Sequence, residues 1–487
     1  MKNRIIITTI IMLVYGFGKM YSQSDSNDVY WDSTISPFRE LQSNSDIKSM
    51  ITTNDSAIII GGYLLGSIAE SLGLKRIIIY KEGIWSSLNK PISEPNGIVN
   101  CLLIKNNELY VAGNFDSVGN KRARSITKWN GSSWDTLGGG VNGVITSMKI
   151  FENQLYVAGR FDSAGNIKAK NIASWNGTNW IALGKGIRGI IDKDYQFKTT
   201  EYVNTMLVSE SNLFVAGVFD SAGEFSAKNI SKWNGVNWSA IGGGLNGPVN
   251  CIEKIGKTIF IGGEYDTINS TIRAISISKW DSVNGWANLG TGPKHPGIVG
   301  VTSINSMKSV NGKLYIGGYF TSISDTIANY IAIWNGSKWG RLGSGLDDAP
   351  YSIEVGKTGL FVSGSFRKAG NINSSAIAKW RLEKDTTNNG YIKSIDKPQI
   401  DRNQKLKENF PQPFKEETKF YVNLEEPKEV TISVLNDKGQ LIEIIFKGLI
   451  EGEKEFKWSG KGESNGIYYY RITGNGIDET KKFVLVK

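Results

Sequence analysis

From residue 58 to residue 367 the chain repeats one arrangement of apolar and polar positions. Its clearest form is Leu109 to Asp116, LYVAGNFD, where five apolar or glycine positions precede one polar residue, an aromatic residue and an acid. The arrangement recurs at Leu155 to Asp162, Leu213 to Asp220, Ile259 to Asp266, Leu314 to Thr321 and Leu360 to Arg367, with a weaker form at Ile58 to Tyr63, so that there are seven copies. Each copy leads into a β-rich stretch, and most of these end on two tryptophans, Trp129 and Trp134, Trp175 and Trp180, Trp233 and Trp238, Trp280 and Trp286, and Trp334 and Trp339. In the first copy the pair becomes Tyr80 and Trp85. Runs this short, bounded by turn residues, predict strands rather than helices.

One period divides into four strands, illustrated by 99–104, 108–114, 125–129 and 134–137. Four strands in a period of roughly 45 to 50 residues predict a propeller blade. The Asn-Gly pairs that begin at Asn130, Asn176, Asn234 and Asn335 are expected to turn the third strand into the fourth through positive backbone angles. Gly113 and its equivalents are expected to permit close packing between sheets. The last copy stops after Trp380 with no fourth strand, whereas the piece from Trp31 to Leu41 resembles the end of a repeat. That piece is expected to complete the seventh sheet and close the ring, removing exposed edges. The expected fold class is therefore all-β: a seven-bladed β-propeller at 23–381, then a small C-terminal Ig-like β-sandwich.

The glycine-rich second strand and the downstream aromatic pair resemble kelch repeats and the propeller of the galactose-oxidase superfamily. The stretch LYVAGNFDSVGNKRARSITKWNGSSWDTLGGG is similar to the repeats of fungal cortical marker proteins. The resemblance covers residues 31 to 381 and speaks to fold, because propellers carry many unrelated activities.

Past Leu382 the pattern dissolves into a polar linker, 382–408, and a new alternation predicts strands at 419–424, 429–436, 441–446, 453–458, 466–473 and 480–486. Three ordered features stand out: Pro411, Pro413 and Phe414 in NFPQPF; Gly439 after the run VTISV; and Gly466, Tyr468 and Tyr470 in GIYYY. The chain then ends on Lys481, Lys482 and an apolar strand up to Lys487. Taken together, residues 409–487 resemble the type A sorting domain of the type IX secretion system. The resemblance implies the type IX machinery and its surface protease as partners, with delivery to the surface or the medium through periplasm and outer membrane. Without it, the lysine pair reads as charge protecting an edge strand and the tyrosines as sandwich core.

The N-terminus agrees with export. Lys2 and Arg4 precede an apolar run from Ile5 to Phe17, too short to span a bilayer, which predicts a signal peptide at 1–22 cleaved after Ser22. No later segment has the apolar length of a membrane helix, so no transmembrane segment is expected in the mature form. Cys101 and Cys251 share one place in the repeat, Val-Asn-Cys, and are expected to be buried free thiols. The net charge of +10 comes from 56 basic residues interspersed with 46 acidic ones, so no nucleic-acid partner is indicated.

Chemistry is sparse. The single histidine, His295, rules out sites that need two, no Cys-x-x-Cys pair exists, and no phosphate-binding loop is visible. No cofactor, metal or catalytic residue is assigned. The Asp-Ser-x-Gly turns at Asp116, Asp162 and Asp220 carry too few acids for a calcium cage. Tryptophans present in nearly every repeat are expected to fill space between sheets. Function is expected where the repeat is broken, on the face carrying the loops between strands two and three and between successive blades. That face gathers Lys121, Arg122, Arg124, Lys168, Lys170, Arg188, Tyr195, Phe197 and His295 as candidate ligand contacts. The expected function is non-catalytic binding or adhesion, with a glycan or a surface protein as ligand. A secreted carboxylate-based glycosidase or lyase, or a structural surface or motility component, is the alternative.

Overall fold

The structure, a computed structural model, describes residues 26–32, 46–53, 57–63, 76–81, 84–88, 94–189, 201–295, 302–357, 359–374, 376–382 and 416–486. The expected signal peptide and nearly all of the expected linker lie outside them. The chain divides into two compact units, Met1–Ile395 and Asp396–Lys487.

Among the described residues the first unit contains smaller two- and three-stranded sheets and, beside them, seven four-stranded antiparallel sheets. In the second of these the strands are Ile98–Lys105, Glu108–Asn114, Ile126–Trp129 and Trp134–Thr136, close to the four expected. Their first strands touch in sequence, and the first strand of the seventh sheet returns to that of the first, so the sheets close a ring as in a β-propeller. Closure uses the N-terminus: Trp31–Asp32 pairs with Ile377–Trp380 as the fourth strand of the seventh sheet. The remainder of the expected closing piece, 33–41, lies outside the described residues.

Local sequence explains the turns, though not all as expected. The mirror-image two-residue turn joins strands one and two, where Asn106 and Asn107 both have positive φ, 52° and 62°. Between strands three and four only the glycine is left-handed, Gly131 at 97°. Asn130 instead accepts hydrogen bonds at its side-chain oxygen from the backbone N–H groups of Ser132 and Ser133, both at 2.9 Å. The Asn-Gly signal therefore marks a four-residue loop capped by a side chain, because asparagine offers an acceptor that rivals a backbone carbonyl.

The role expected of Gly113 is also corrected. A Cβ there would lie 2.0 Å from the carbonyl oxygen of Ile98, in its own sheet, and Gly159 and Gly318 stand in the same relation to Val144 and Ser303. The cause is a bulge in the first strand, between Val99 and Cys101 and at the matching place in the other sheets, which pushes a carbonyl toward the second strand. Close packing between sheets happens one residue earlier, where a Cβ on Gly61 would meet Val99 Cγ1 at 2.6 Å and one on Gly317 would meet Pro350 Cγ at 2.3 Å.

Neighbouring sheets are joined by repeated side-chain bonds. Asn100 Nδ2 donates to Ile145 O at 3.0 Å, Thr146 Oγ1 to Val203 O at 2.5 Å and Asn204 Nδ2 to Val249 O at 2.9 Å, each reaching from one bulge to the next sheet. The second tryptophan of the pair does the same further out: Trp180 Nε1 donates to Leu137 O at 3.0 Å, Trp238 to Leu183 O at 3.1 Å and Trp339 to Leu289 O at 3.2 Å. Tryptophan thus fills space, as expected, and in these sheets also ties the sheet to its predecessor, whereas the buried Trp134 Nε1 makes no such bond. Cys101 and Cys251 are buried free thiols. Burial pushes the Cys101 thiol up to about 12 and raises Cys251 as well.

The second unit contains four long strands where six shorter ones were expected: Glu417–Asn436, Leu441–Ser459, Gly466–Gly474 and Ile477–Leu485, in one sheet. The first two strands shift register between Leu424 and Lys428, and there the sheet folds over on itself. Phe420 consequently stacks on Tyr470 at 4.4 Å, and Trp458 packs edge-on against Phe483 at 5.1 Å, within one core.

Candidate binding site at the mouth of the ring

Repetition makes the site visible by contrast. In strand two, five consecutive positions are buried and nearly invariant, and the aromatic two places later is buried again. The single residue between them differs in almost every sheet: Tyr63, Asn114, Arg160, Val218, Glu264, Tyr319 and Ser365. All seven are partly or fully exposed. They pair with the starts of the first strands, as Asn114 does with Ile98 and Arg160 with Val144, so they surround one mouth of the central channel.

Residues of the inner strands complete that mouth. Asn250 Nδ2 donates to Glu264 Oε1 at 3.2 Å, and the Tyr351 hydroxyl meets Ser365 Oγ at 2.5 Å. Lys48 pairs with Asp46 at 2.8 Å and lies 4.5 Å over the Tyr351 ring, while the Arg76 guanidinium lies 4.2 Å over Tyr63. Burial, reinforced by Glu264, raises Tyr202 above the usual phenol value, so it remains a neutral donor. Alternating aromatic, amide and charged groups are the chemistry of polar recognition.

The described residues of the set expected from the sequence occupy the same face but a different radius. Lys121–Arg122 and Ile167–Lys168 form the far arms of small hairpins, and the second of these hairpins lies against the outermost strand of its own sheet. Lys121 Nζ donates to Trp134 O at 2.7 Å, Lys170 pairs with Asp162 at 2.8 Å and Glu201 at 2.6 Å, and Arg188 donates to Gly223 O at 2.6 Å. Their charge therefore holds the rim together, whereas Arg122 and Lys168 stay exposed and Arg124 partly so. His295 stacks flat on Tyr319, 4.5 Å between centroids at 5°, with Tyr330 6.0 Å from Tyr319. Among the described residues of the expected set, His295 is the one with a ring contact to a mouth residue. Tyr195 and Phe197 lie outside the described residues. The mouth set escaped sequence reading, although its signal was present: one variable position inside an otherwise repeated strand.

Further along the inner strands, three residues past the bulged residue, stand Ile51, Leu103, Lys149, Leu207, Glu253, Lys308 and Glu354. Lys308 pairs with Glu354 at 2.9 Å, and Ser309 Oγ donates to Glu253 Oε1 at 3.3 Å. Among the described residues no three His, Cys, Asp or Glu side chains converge as a metal site would require.

In the second unit, Gly439 has a φ of 78° in the turn that Asn436 caps by accepting from Lys438 and Gln440. Gly466 opens a strand in which Tyr468 and Tyr470 are buried. Tyr468 donates its hydroxyl to Ser464 O at 2.8 Å. Lys481 and Lys482 lie on the edge strand, opposite Tyr470 and Tyr469. Pro411, Pro413, Phe414 and Lys487 lie outside the described residues.

Residues 408–487 match the family of secretion system C-terminal sorting domains. The protein is accordingly exported through the type IX secretion system to the cell surface or the medium. No helix among the described residues is long and apolar enough to cross a membrane. No curated protein matches the chain. Among solved structures, the β-propeller domain of the Trilobed protease from Pyrococcus furiosus is 10% identical, with 73% of this chain and 99% of that one covered and a TM-score of 0.37. Pyrococcus horikoshii acylaminoacyl peptidase is 12% identical, covering 82% and 60%, also at 0.37. Dimeric latent PorU from Porphyromonas gingivalis is 11% identical, covering 86% and 36%, at 0.16. These alignments carry no argument about activity or partners.

Proposed function

We propose that the exported chain is a non-catalytic binding or adhesion module, whose seven sheets are the blades of one kelch-like propeller and whose ligand seats on the mouth of the ring. The observation that carries this reading is the variable, exposed position bracketed by buried repeated ones. A framework that repeats everywhere except at one solvent-facing place around a common axis presents seven different groups to one ligand. Tyr63, Tyr319 and Tyr351 supply rings on which a sugar face can stack, and Asn250, Arg160 and Glu264 supply polar partners, so a glycan or a polar protein epitope fits. The expected division stands behind the reading: a leader at 1–22, the propeller at 23–381, and the sorting unit from 409, of Ig-like sandwich type. The type IX machinery and its surface protease are the partners of that last unit.

The secreted-enzyme alternative needs two carboxylates free to act as acid and base. Glu253 and Glu354 share the channel lining, but Lys308 holds Glu354 in an ion pair, which speaks against it. The test is a screen of the purified chain against acidic and neutral glycans and surface-protein fragments, followed by variants. Arg160→Ala and Tyr319→Ala should weaken capture about tenfold, a loss typical of a contact in the middle of an interface, whereas Arg122→Ala and Lys168→Ala should leave it unchanged. Loss only in the rim variants would move the site outward, and hydrolysis of a captured glycan would replace binding by catalysis.

A further inference from the structure

The seam between the first and second sheets departs from a packing pattern that the other sheets share. One place in strand two holds an aromatic residue in six sheets, Tyr110, Tyr156, Phe214, Phe260, Tyr315 and Phe361, and Ile59 in the first. Each of the six rings is buried in the core that its sheet shares with the following one. There it joins the first tryptophan of the next sheet's pair: Phe214 lies 5.9 Å from Trp280, ring to ring, and Tyr156 shares its core with Trp233. Ile59 shares a core with Trp129 in the same way but brings no ring to it.

A cleft of about 700 Å³ opens at that place, lined by Ile59, Leu109 and Trp129 and by the exposed Asn106 and Asn107. The two asparagines form the turn before strand two, whereas Asn114 ends that strand at the mouth, so the cleft opens on the opposite face of the ring. Its described lining carries no charged side chain. The same seam leaves the Trp134 indole N–H buried with no hydrogen-bond partner among the described residues. Elsewhere that N–H ties a sheet to its predecessor, as Trp180 does at Leu137 O, 3.0 Å away.

A space that the chain fills with a phenyl or phenol ring in the other sheets has the shape for such a ring, and Trp129 supplies the face or edge on which aromatic rings pack best. A volume of this size suits a small ligand. An ionised ligand would give up its hydration there with no counter-charge in return. The exposed amides, by contrast, offer a donor and an acceptor to a hydroxyl. We propose that this seam is a binding site for a small neutral molecule carrying one aromatic ring. The ring takes the place against Trp129 that Phe or Tyr takes in the other sheets, and its polar group faces Asn106 and Asn107. The site shares no residue with the mouth and does not depend on it.

Phenol, titrated into the full purified chain by calorimetry with cyclohexanol and benzoate as comparisons, tests the assignment. Phenol should bind about three- to tenfold more tightly than the non-planar alcohol, the worth of one aromatic pair, and benzoate should bind more weakly than phenol. Ile59→Phe gives the first sheet the ring that the others carry, so that variant should melt at a higher temperature and no longer bind phenol. Should it fold poorly, Ile104→Lys keeps the test open. Residue 104 is exposed and lines the cleft, and Lys254 holds the same register position in the fifth sheet. This change replaces an apolar group of the lining by a charged one and should weaken phenol about threefold or more, the scale of a lost apolar contact. Absence of saturable phenol binding to the unaltered chain, equal affinity for cyclohexanol, or undiminished binding by a folded Ile59→Phe protein overturns the assignment, and none of these results bears on the mouth.

Discussion

The rings of Trp31 and Trp380 lie 5.0 Å apart at 74°, edge to face, although they stand at opposite ends of the repeat region. Trp31 also donates its indole N–H to Leu342 O at 3.2 Å, the bond made by the second tryptophan of other repeats. The N-terminus thus supplies the tryptophan that the seventh repeat lacks. Asp32 adds ion pairs to Lys379 at 3.6 Å and Arg381 at 3.3 Å, and Asp28 accepts from the Ser344 backbone at 2.6 Å. Trp31→Ala should therefore lower stability by about 3–5 kcal/mol, the range for losing a large buried aromatic. Chemical denaturation measures it, and a loss comparable to that at an exposed position such as Val236 would show that the clasp contributes nothing.

Asn204 bridges its bulge to Val249 O at 2.9 Å. Replacing it by Ala leaves that carbonyl without its partner, which should cost about 1–3 kcal/mol. Asn204→Thr should recover part of the loss, since Thr146 makes the same bond in the third sheet. Thermal unfolding of the two variants side by side decides whether the bond or the side-chain volume matters.

Gly113→Ala places a methyl 2.0 Å from the carbonyl of Ile98, backbone that cannot step aside cheaply. A destabilisation of about 1–3 kcal/mol is expected, as for other overpacked sites. Gly256→Ala, where a Cβ would meet nothing within 4 Å, should cost only the strain of its positive φ of 59°. Equal melting temperatures for the two variants would show that the bulge is not rigid.

The thiols provide a pH test. An unfolded cysteine ionises near about 8.5, whereas burial holds Cys101 at about 12 and raises Cys251. Below the unfolded value both states keep the proton, and stability is complete. As pH rises above it, only the unfolded chain releases the proton, so stability declines up to the folded value. Unfolding midpoints measured across pH 8 to 11 should fall less steeply in the double variant with both cysteines changed to Val. In the native protein a thiol reagent at neutral pH should label neither residue until denaturant is added.

Removal of residues 416–487 should retain the ring in the periplasm, because the sorting unit folds around its own core. Fractionation with an antibody to the ring reads the outcome, and undiminished surface display would remove that unit from the export route.

Much of the fold was legible because each signal was local and recurred. The period, the paired tryptophans and the missing fourth strand after Trp380 led to the sheets and to the clasp at Trp31. Asn130 misled because a dipeptide does not reveal whether its side chain caps a loop or its backbone turns one. The sorting unit was recognised by its motifs, yet Leu424 to Lys428 did not disclose that two predicted strands run on as one, since a bend and a break share the same polar residues. The rim lysines misled for another reason: charge on a loop carries no record of the carbonyl or carboxylate that meets it, as Trp134 O meets Lys121.

By itself the sequence determined which segments pair within a sheet, which residues every sheet needs, and that the chain carries an export address, because those properties depend on spacing along the backbone and on motifs a few residues long. Tertiary structure alone decided which residues meet across the axis. Tyr63 and Arg160 acquire a common neighbourhood only when separate sheets are brought round to face one another, and no periodicity along the chain encodes distance across a ring.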